Sequence, residues 1–77
     1  MSEKEIDIWY DTIYELEKYF IDTNKLPSST DKKEKIRKMR YWLCCQLQNA
    51  KENKNEMKDQ YIKSYWEAFV SKYRHII

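Results

Sequence analysis

Lys33, Arg37, Arg40, Gln48 and Lys51 fall within one broad sector when residues 31–52 are wound as a helix, and Tyr41 stands at the sector's edge. The winding is about 100° per residue, so residues three, four and seven apart share a side. Guanidinium and ammonium groups neutralise phosphates and release their condensed counterions, the usual source of nucleic-acid affinity. A tyrosine beside them offers a ring on which an exposed base stacks. The chemistry this pattern suits is polyanion binding. The same pattern also describes an ordinary solvated helix face, because lysine-rich helix surfaces are common.

A second set lies across that helix. Trp42, Gln46 and Asn49 are spaced as Trp-x-x-x-Gln-x-x-Asn. Gln46 falls inside the apolar arc that runs from Trp42 through Met39, Ala50, Leu43 and Ile36 to Leu47, and Asn49 lies on its Trp42 edge. An amide buried without partners costs about 1–3 kcal/mol, so Gln46 needs one. Two readings stand: Gln46 ties this helix to a loop carbonyl or another helix, or Gln46 and Asn49 reach a phosphate or base edge.

Other chemistries lack their residues. The chain has no glycine and one proline, Pro27. Phosphate-cradling loops and nucleophile elbows need glycine for positive φ or close backbone approach. His75 is the sole histidine, and Cys44 and Cys45 are adjacent, which gives no zinc spacing. Neighbouring cysteines on a helix do not form an ordinary structural bridge, so the pair fits a reducing, intracellular setting, cytoplasm or nucleus or a viral replication compartment. No metal, no cofactor and no catalytic residue is expected. No apolar run approaches the roughly 20 residues that span a membrane. The opening run Met1-Ser2-Glu3-Lys4-Glu5 is acidic, unlike a signal peptide.

The elements that must position these residues are three helices. Ile6, Trp9, Ile13, Leu16 and Phe20 recur at intervals of three and four, the spacing of a helical stripe. Pro27 disfavours helix at Leu26, which helps end this segment, and Leu26 is expected to tuck back as an apolar plug. Asp31 followed by Glu34 resembles a capping box for the second segment. Ile36, Met39, Leu43 and Leu47 form its stripe. Ile62, Trp66, Phe69 and Tyr73 form the third, with Met57 placed to staple against Ile62. The expectation is an all-α, compact three-helix bundle, one domain over residues 1–77, with helices at about 3–23, 31–52 and 58–75. The core is read as Trp9, Ile13, Leu16, Phe20, Ile36, Met39, Leu43, Leu47, Ile62, Trp66, Phe69 and Tyr73.

Charge is divided along the chain. Residues 1–24 carry seven acids against two bases, a balance of −5, and residues 25–77 carry thirteen bases against six acids, a balance of +7. Such polarity orients a small protein on a polyanion, or equally supports contacts between helices.

The order of these features resembles the helicase-associated domain, a small helical module found beside helicases and in proteins of large DNA viruses. The matching stretches are Trp9 to Phe20, Leu26-Pro27-Ser28, Lys38-Met39-Arg40-Tyr41-Trp42-Leu43, Gln46-Leu47-Gln48-Asn49, Met57-Lys58-Asp59 and Trp66-Glu67-x-Phe69. Arg40 stands where that family usually has glycine, so this chain must pack differently there or present an extra phosphate-binding charge. The resemblance implies a non-catalytic accessory that binds nucleic acid beside a helicase or another protein, and the expected ligand is DNA in preference to RNA, with both open. The alternative is a helical protein–protein interaction or self-association module. It is suggested by apolar residues outside the core stripes: Ile8, Tyr10, Tyr14, Ile21 and Ile77.

Overall fold

The stripe Ile6–Phe20 produces a long first helix, α1, over Glu3–Thr23. The computed structural model describes residues 3–77; Met1 and Ser2 of the acidic opening run lie outside the described residues. After α1 come α2 (Glu34–Glu52), a short 3₁₀ turn (Asn55–Lys58) and α3 (Gln60–Lys72). The described residues contain no strand, and the chain is an all-α three-helix bundle.

Ring contacts fix the helix directions. Trp9 meets Trp42 of α2, with ring centres 5.8 Å apart, and Glu15 pairs with Lys35 at 3.6 Å, so α1 and α2 run antiparallel. Trp9 meets Tyr65 and Trp66, and Phe20 meets Phe69 and Tyr73, so α1 and α3 run parallel. The core has an indole end around Trp9 and a phenyl end around Phe20, and the Trp66–Phe69 stack (5.6 Å) joins them.

One polar group enters this core. Trp9 Nε1–H donates to Gln46 Oε1 at 2.9 Å, and both residues are buried. Gln46 therefore ties α2 to another helix, the first of the two readings of its amide. Half-buried Asn49, in the last turn of α2, accepts a hydrogen bond from Asn55 at 3.1 Å and so ties α2 to the turn that follows it.

Several expectations are corrected. Leu47 is 39% exposed, because it stands at the far margin of the arc, beyond the reach of α1 and α3. Ile36 and Met39 are half-buried, whereas the other expected core residues are buried. Met57 and Pro27 are fully buried, and Leu26 is only partly so; the proline ring is the deeper plug.

Helix α1 stops at Asn24, three residues before Pro27. Asn24 has φ 55°, and its N–H bonds to the Phe20 carbonyl at 2.8 Å. Asparagine tolerates the left-handed region better than most residues, and here it takes the place glycine usually holds. Asn53 does the same after α2, with φ 54° and its N–H on the Asn49 carbonyl.

Helix α2 starts at Glu34 rather than 31, and the capping box does not form. The Asp31 carboxylate accepts from the Lys33 N–H at 2.8 Å, closing a local turn instead. Glu34 pairs forward with Lys38 at 3.3 Å. Helix α3 begins at Gln60 behind Asp59, whose carboxylate accepts from the N–H groups of Tyr61 and Ile62. It ends at Lys72 rather than 75, because the Tyr73 carbonyl takes the N–H groups of Ile76 and Ile77 and folds both isoleucines onto the core.

A second polar tie closes the phenyl end. Glu17 Oε2 accepts from Tyr73 Oη–H at 2.7 Å and from Lys72 Nζ at 3.1 Å. The Tyr73 hydrogen bond, with Lys72 adding its own bond and charge, holds the Glu17 carboxyl below the usual carboxylate range despite its partial burial. Burial first, then Glu17, push the Tyr73 hydroxyl up.

Two outcomes follow from these ties. In a double-mutant cycle, Trp9→Phe and Gln46→Leu should couple by about 1–2 kcal/mol in chemical denaturation, since either change alone leaves a buried group without its partner. A coupling near zero would show that the bond adds nothing. Total stability for a chain of this size is about 4–11 kcal/mol, so such a term is a sizeable share. The Glu17 tie is stabilising above the ordinary carboxylate range, where Glu17 is ionised in both states, and is lost as pH falls through its lowered value. Tyr73→Phe should lower the neutral-pH Tm by about 4–8 °C, the equivalent of about 1 kcal/mol. Its melting temperature should also fall less than that of the parent as pH is lowered through the carboxylate range.

Candidate nucleic-acid interface

Helix α2 turns Leu43 and Gln46 into the core, which fixes what its other sides present. Lys33, Arg37, Arg40 and Lys51 stand at spacings of four, three and eleven, so they form a row along one flank. Lys33 is the residue just before α2. At 1.5 Å per residue the row is about 27 Å long. Lys33, Arg37 and Lys51 are exposed, and Arg40 is half-buried. Cys44 and Leu47 continue the same row between Arg40 and Lys51, and both are exposed. The helical projection placed Leu47 at the end of the apolar arc, and that marginal position was the signal for its exposure.

The row is electrostatically separate from the acidic helix. Ion pairs join Lys35 to Glu15, Lys38 to Glu34, Lys54 to Glu52 and Lys72 to Glu17. None takes a residue of the row. Glu15 and Glu17 of α1 pair with Lys35 and Lys72, which lie off this flank. The flank that carries Lys33, Arg37, Arg40 and Lys51 thus keeps its charge.

The six expected contact residues are not equivalent. Arg37 Nη1–H donates to the carbonyls of Asp31 (2.6 Å) and Lys32 (3.1 Å), so this side chain straps the loop to the first turn of α2. Its remaining guanidinium donors are still available to a phosphate. Gln48 donates to Glu52 at 2.6 Å. Tyr41 is 74% exposed, and a hydrogen bond with Cys45, one turn on, holds its hydroxyl above the usual tyrosine range. Glu34 and Glu52 flank Tyr41 and Gln48 on the helix, so the approach for an anion is from the Arg40 and Leu47 side. Lys33, Arg40 and Lys51 are the charges with no such ties.

Trp42, Gln46 and Asn49 are separate from this row. Gln46 and Asn49 are held by Trp9 and Asn55. Trp42 is half-buried, its ring 5.8 Å from Trp9 and 6.2 Å from Trp66. His75 is exposed beside Tyr73. Among the described residues, no group of three or more His, Cys, Asp or Glu side chains is placed to hold a metal ion. Nor is any helix among them long and apolar enough to cross a membrane.

Compared with known proteins, the chain matches no family model, no curated protein and no solved structure.

Within the row, Arg37 is the one residue whose loss should be felt without any ligand. Arg37→Ala should cost about 1 kcal/mol and speed amide exchange in the first turn of α2. Arg37→Lys should recover only part of this, because an ammonium lacks the planar fork. Unchanged exchange in Arg37→Ala would show that the strap does not hold the loop.

Proposed function

We propose that this chain is a non-catalytic nucleic-acid-binding module whose α2 flank lies against the phosphates of DNA. The observation that carries this reading is the row Lys33, Arg37, Arg40 and Lys51: four bases along about 27 Å of helix, none paired with a carboxylate. Unpaired cations at the surface lose little on meeting phosphate and gain the release of counterions. Tyr41 and Gln48 sit at the edge of the row, where they meet a base or sugar after the phosphates have set the position. The acidic side of α1 faces elsewhere and repels a second strand from the wrong side, which orients the protein on its ligand.

In this reading the order of motifs that resembles the helicase-associated domain supports an accessory role beside a helicase or another protein, in a reducing intracellular or viral replication compartment. Arg40, in the place of that family's usual glycine, supplies an added phosphate contact.

Fluorescence anisotropy with labelled duplex and single-stranded DNA, titrated over salt, tests this directly. Four phosphate contacts give a slope of log K against log salt of about −3.6 on duplex and about −2.8 on a single strand. Arg40→Ala with Lys51→Ala should weaken binding evenly across sequences and reduce the slope by about 2, with helicity unchanged. These two residues are chosen because Arg37 also holds the fold. An absence of binding at low salt, or equal affinity in the double variant, refutes the assignment.

A further inference from the structure

A different side of α2 faces a groove of about 570 Å³ that runs between α1 and α2. Its apolar lining is Ile8 from α1 and Met39 and Trp42 from α2, with half-buried Thr12 beside them. Ile8 is 55% exposed there, although it sits beside half-buried Trp42 and Met39. Its walls carry opposite charge. The α1 wall holds Asp11 and Glu15; the α2 wall holds Lys35 and Lys38, which outnumber the neighbouring Glu34.

We infer that this groove is a self-association surface, closed by a second copy of the chain related by a twofold axis running along the groove. Rotation about such an axis exchanges the walls. The acidic wall of each copy then faces the basic wall of the other, and the opposed helices remain antiparallel, as α1 and α2 are within one chain.

The levels along the groove agree. Glu15 already stands level with Lys35, its partner at 3.6 Å within the chain. One α1 turn earlier, Asp11 is level with the Lys38–Met39 region, and Ile8 is level with Trp42, the neighbour of Trp9 on α2. The twofold therefore sets Glu15 against the second copy's Lys35, Asp11 against its Lys38, and Ile8 against its Trp42.

Among the described residues Asp11 enters none of the ion pairs, and the Lys35–Glu15 and Lys38–Glu34 pairs are open to water. Each lysine can accept a second carboxylate at little cost. The patch is thus self-complementary in charge, as a twofold interface must be. A foreign helix would have to supply this charge order, whereas a copy of the chain carries it. The row Lys33, Arg40 and Lys51 lies on another side of α2 and stays uncovered, so the surface stands or falls independently of the nucleic-acid reading.

Sedimentation equilibrium on three proteins decides it: the parent, an all-basic groove (Asp11→Lys with Glu15→Lys), and an all-acidic groove (Lys35→Glu with Lys38→Glu). The parent should show a concentration-dependent dimer that weakens with salt. Each variant alone should associate at least about tenfold more weakly, since like walls now meet. An equimolar mixture should regain the dimer as a heterodimer, because every opposed pair is again of opposite sign. Far-UV circular dichroism checks folding. Ile8→Asp, at an exposed position, should also give a monomer, and it serves as the deciding variant if a charge-reversed protein does not fold. A parent that stays monomeric, variants that dimerise as well as the parent, or a mixture that stays monomeric overturns the inference.

Discussion

The hydrogen bond from Trp9 to Gln46 constrains everything else in this bundle. The indole is the largest side chain α1 brings to the core, and its ring touches residues from all three helices. Apolar packing alone would tolerate a small slide or rotation of α1 against α2. A buried donor and a buried acceptor do not, because losing their bond strands both. The bond therefore sets the register of the two helices. That register fixes which side of α2 is left for the solvent. The basic row is where it is because Gln46 points inward, almost across the helix from it.

Helix α2 consequently has three distinct surfaces within nineteen residues. One is packed on α1 and α3 through Leu43 and Gln46. One forms the basic wall of the groove with Lys35 and Lys38. The third carries Lys33, Arg37, Arg40 and Lys51. Lys35, beside α1, is matched by Glu15, and Lys38 by Glu34 of its own helix, whereas the row turned away from α1 has no carboxylate partner. The charge imbalance between the two parts of the chain is thereby sorted by geometry: part is spent in contacts between helices, and the remainder gathers on one flank.

Much of the architecture was legible from periodicity. The apolar stripes of α1 and α3 have unambiguous spacing, and nine of the core residues they and Leu43 named are buried. What was not legible lay where two local preferences compete. Asp31 has the right spacing from Glu34 for a capping box, yet its carboxylate found the nearer Lys33 amide first. Pro27 looked like a helix breaker, but Asn24 had already turned the chain into the left-handed region. In a chain without glycine, asparagine takes that role, and its side chain carries no periodic signal. The site was legible only as a set of positions. That Lys33, Arg37, Arg40 and Lys51 share a flank follows from the spacing of a helix. That Arg37 spends two bonds on loop carbonyls depends on how residues 31–33 fold, which no spacing reveals.

The gathering of all three tryptophans at one end of the core has a spectroscopic consequence. Trp9, Trp42 and Trp66 lie within 6.5 Å of one another, centre to centre, so their excited states are coupled and their emission behaves as a single unit. Intrinsic fluorescence thus reports on one place in the molecule. It registers any shift of α1 against α2, or any contact made over the exposed edge of Trp42. The opposite end, held by Phe20, Phe69 and Tyr73, is spectrally dark by comparison, and fraying there would pass without a change in indole emission.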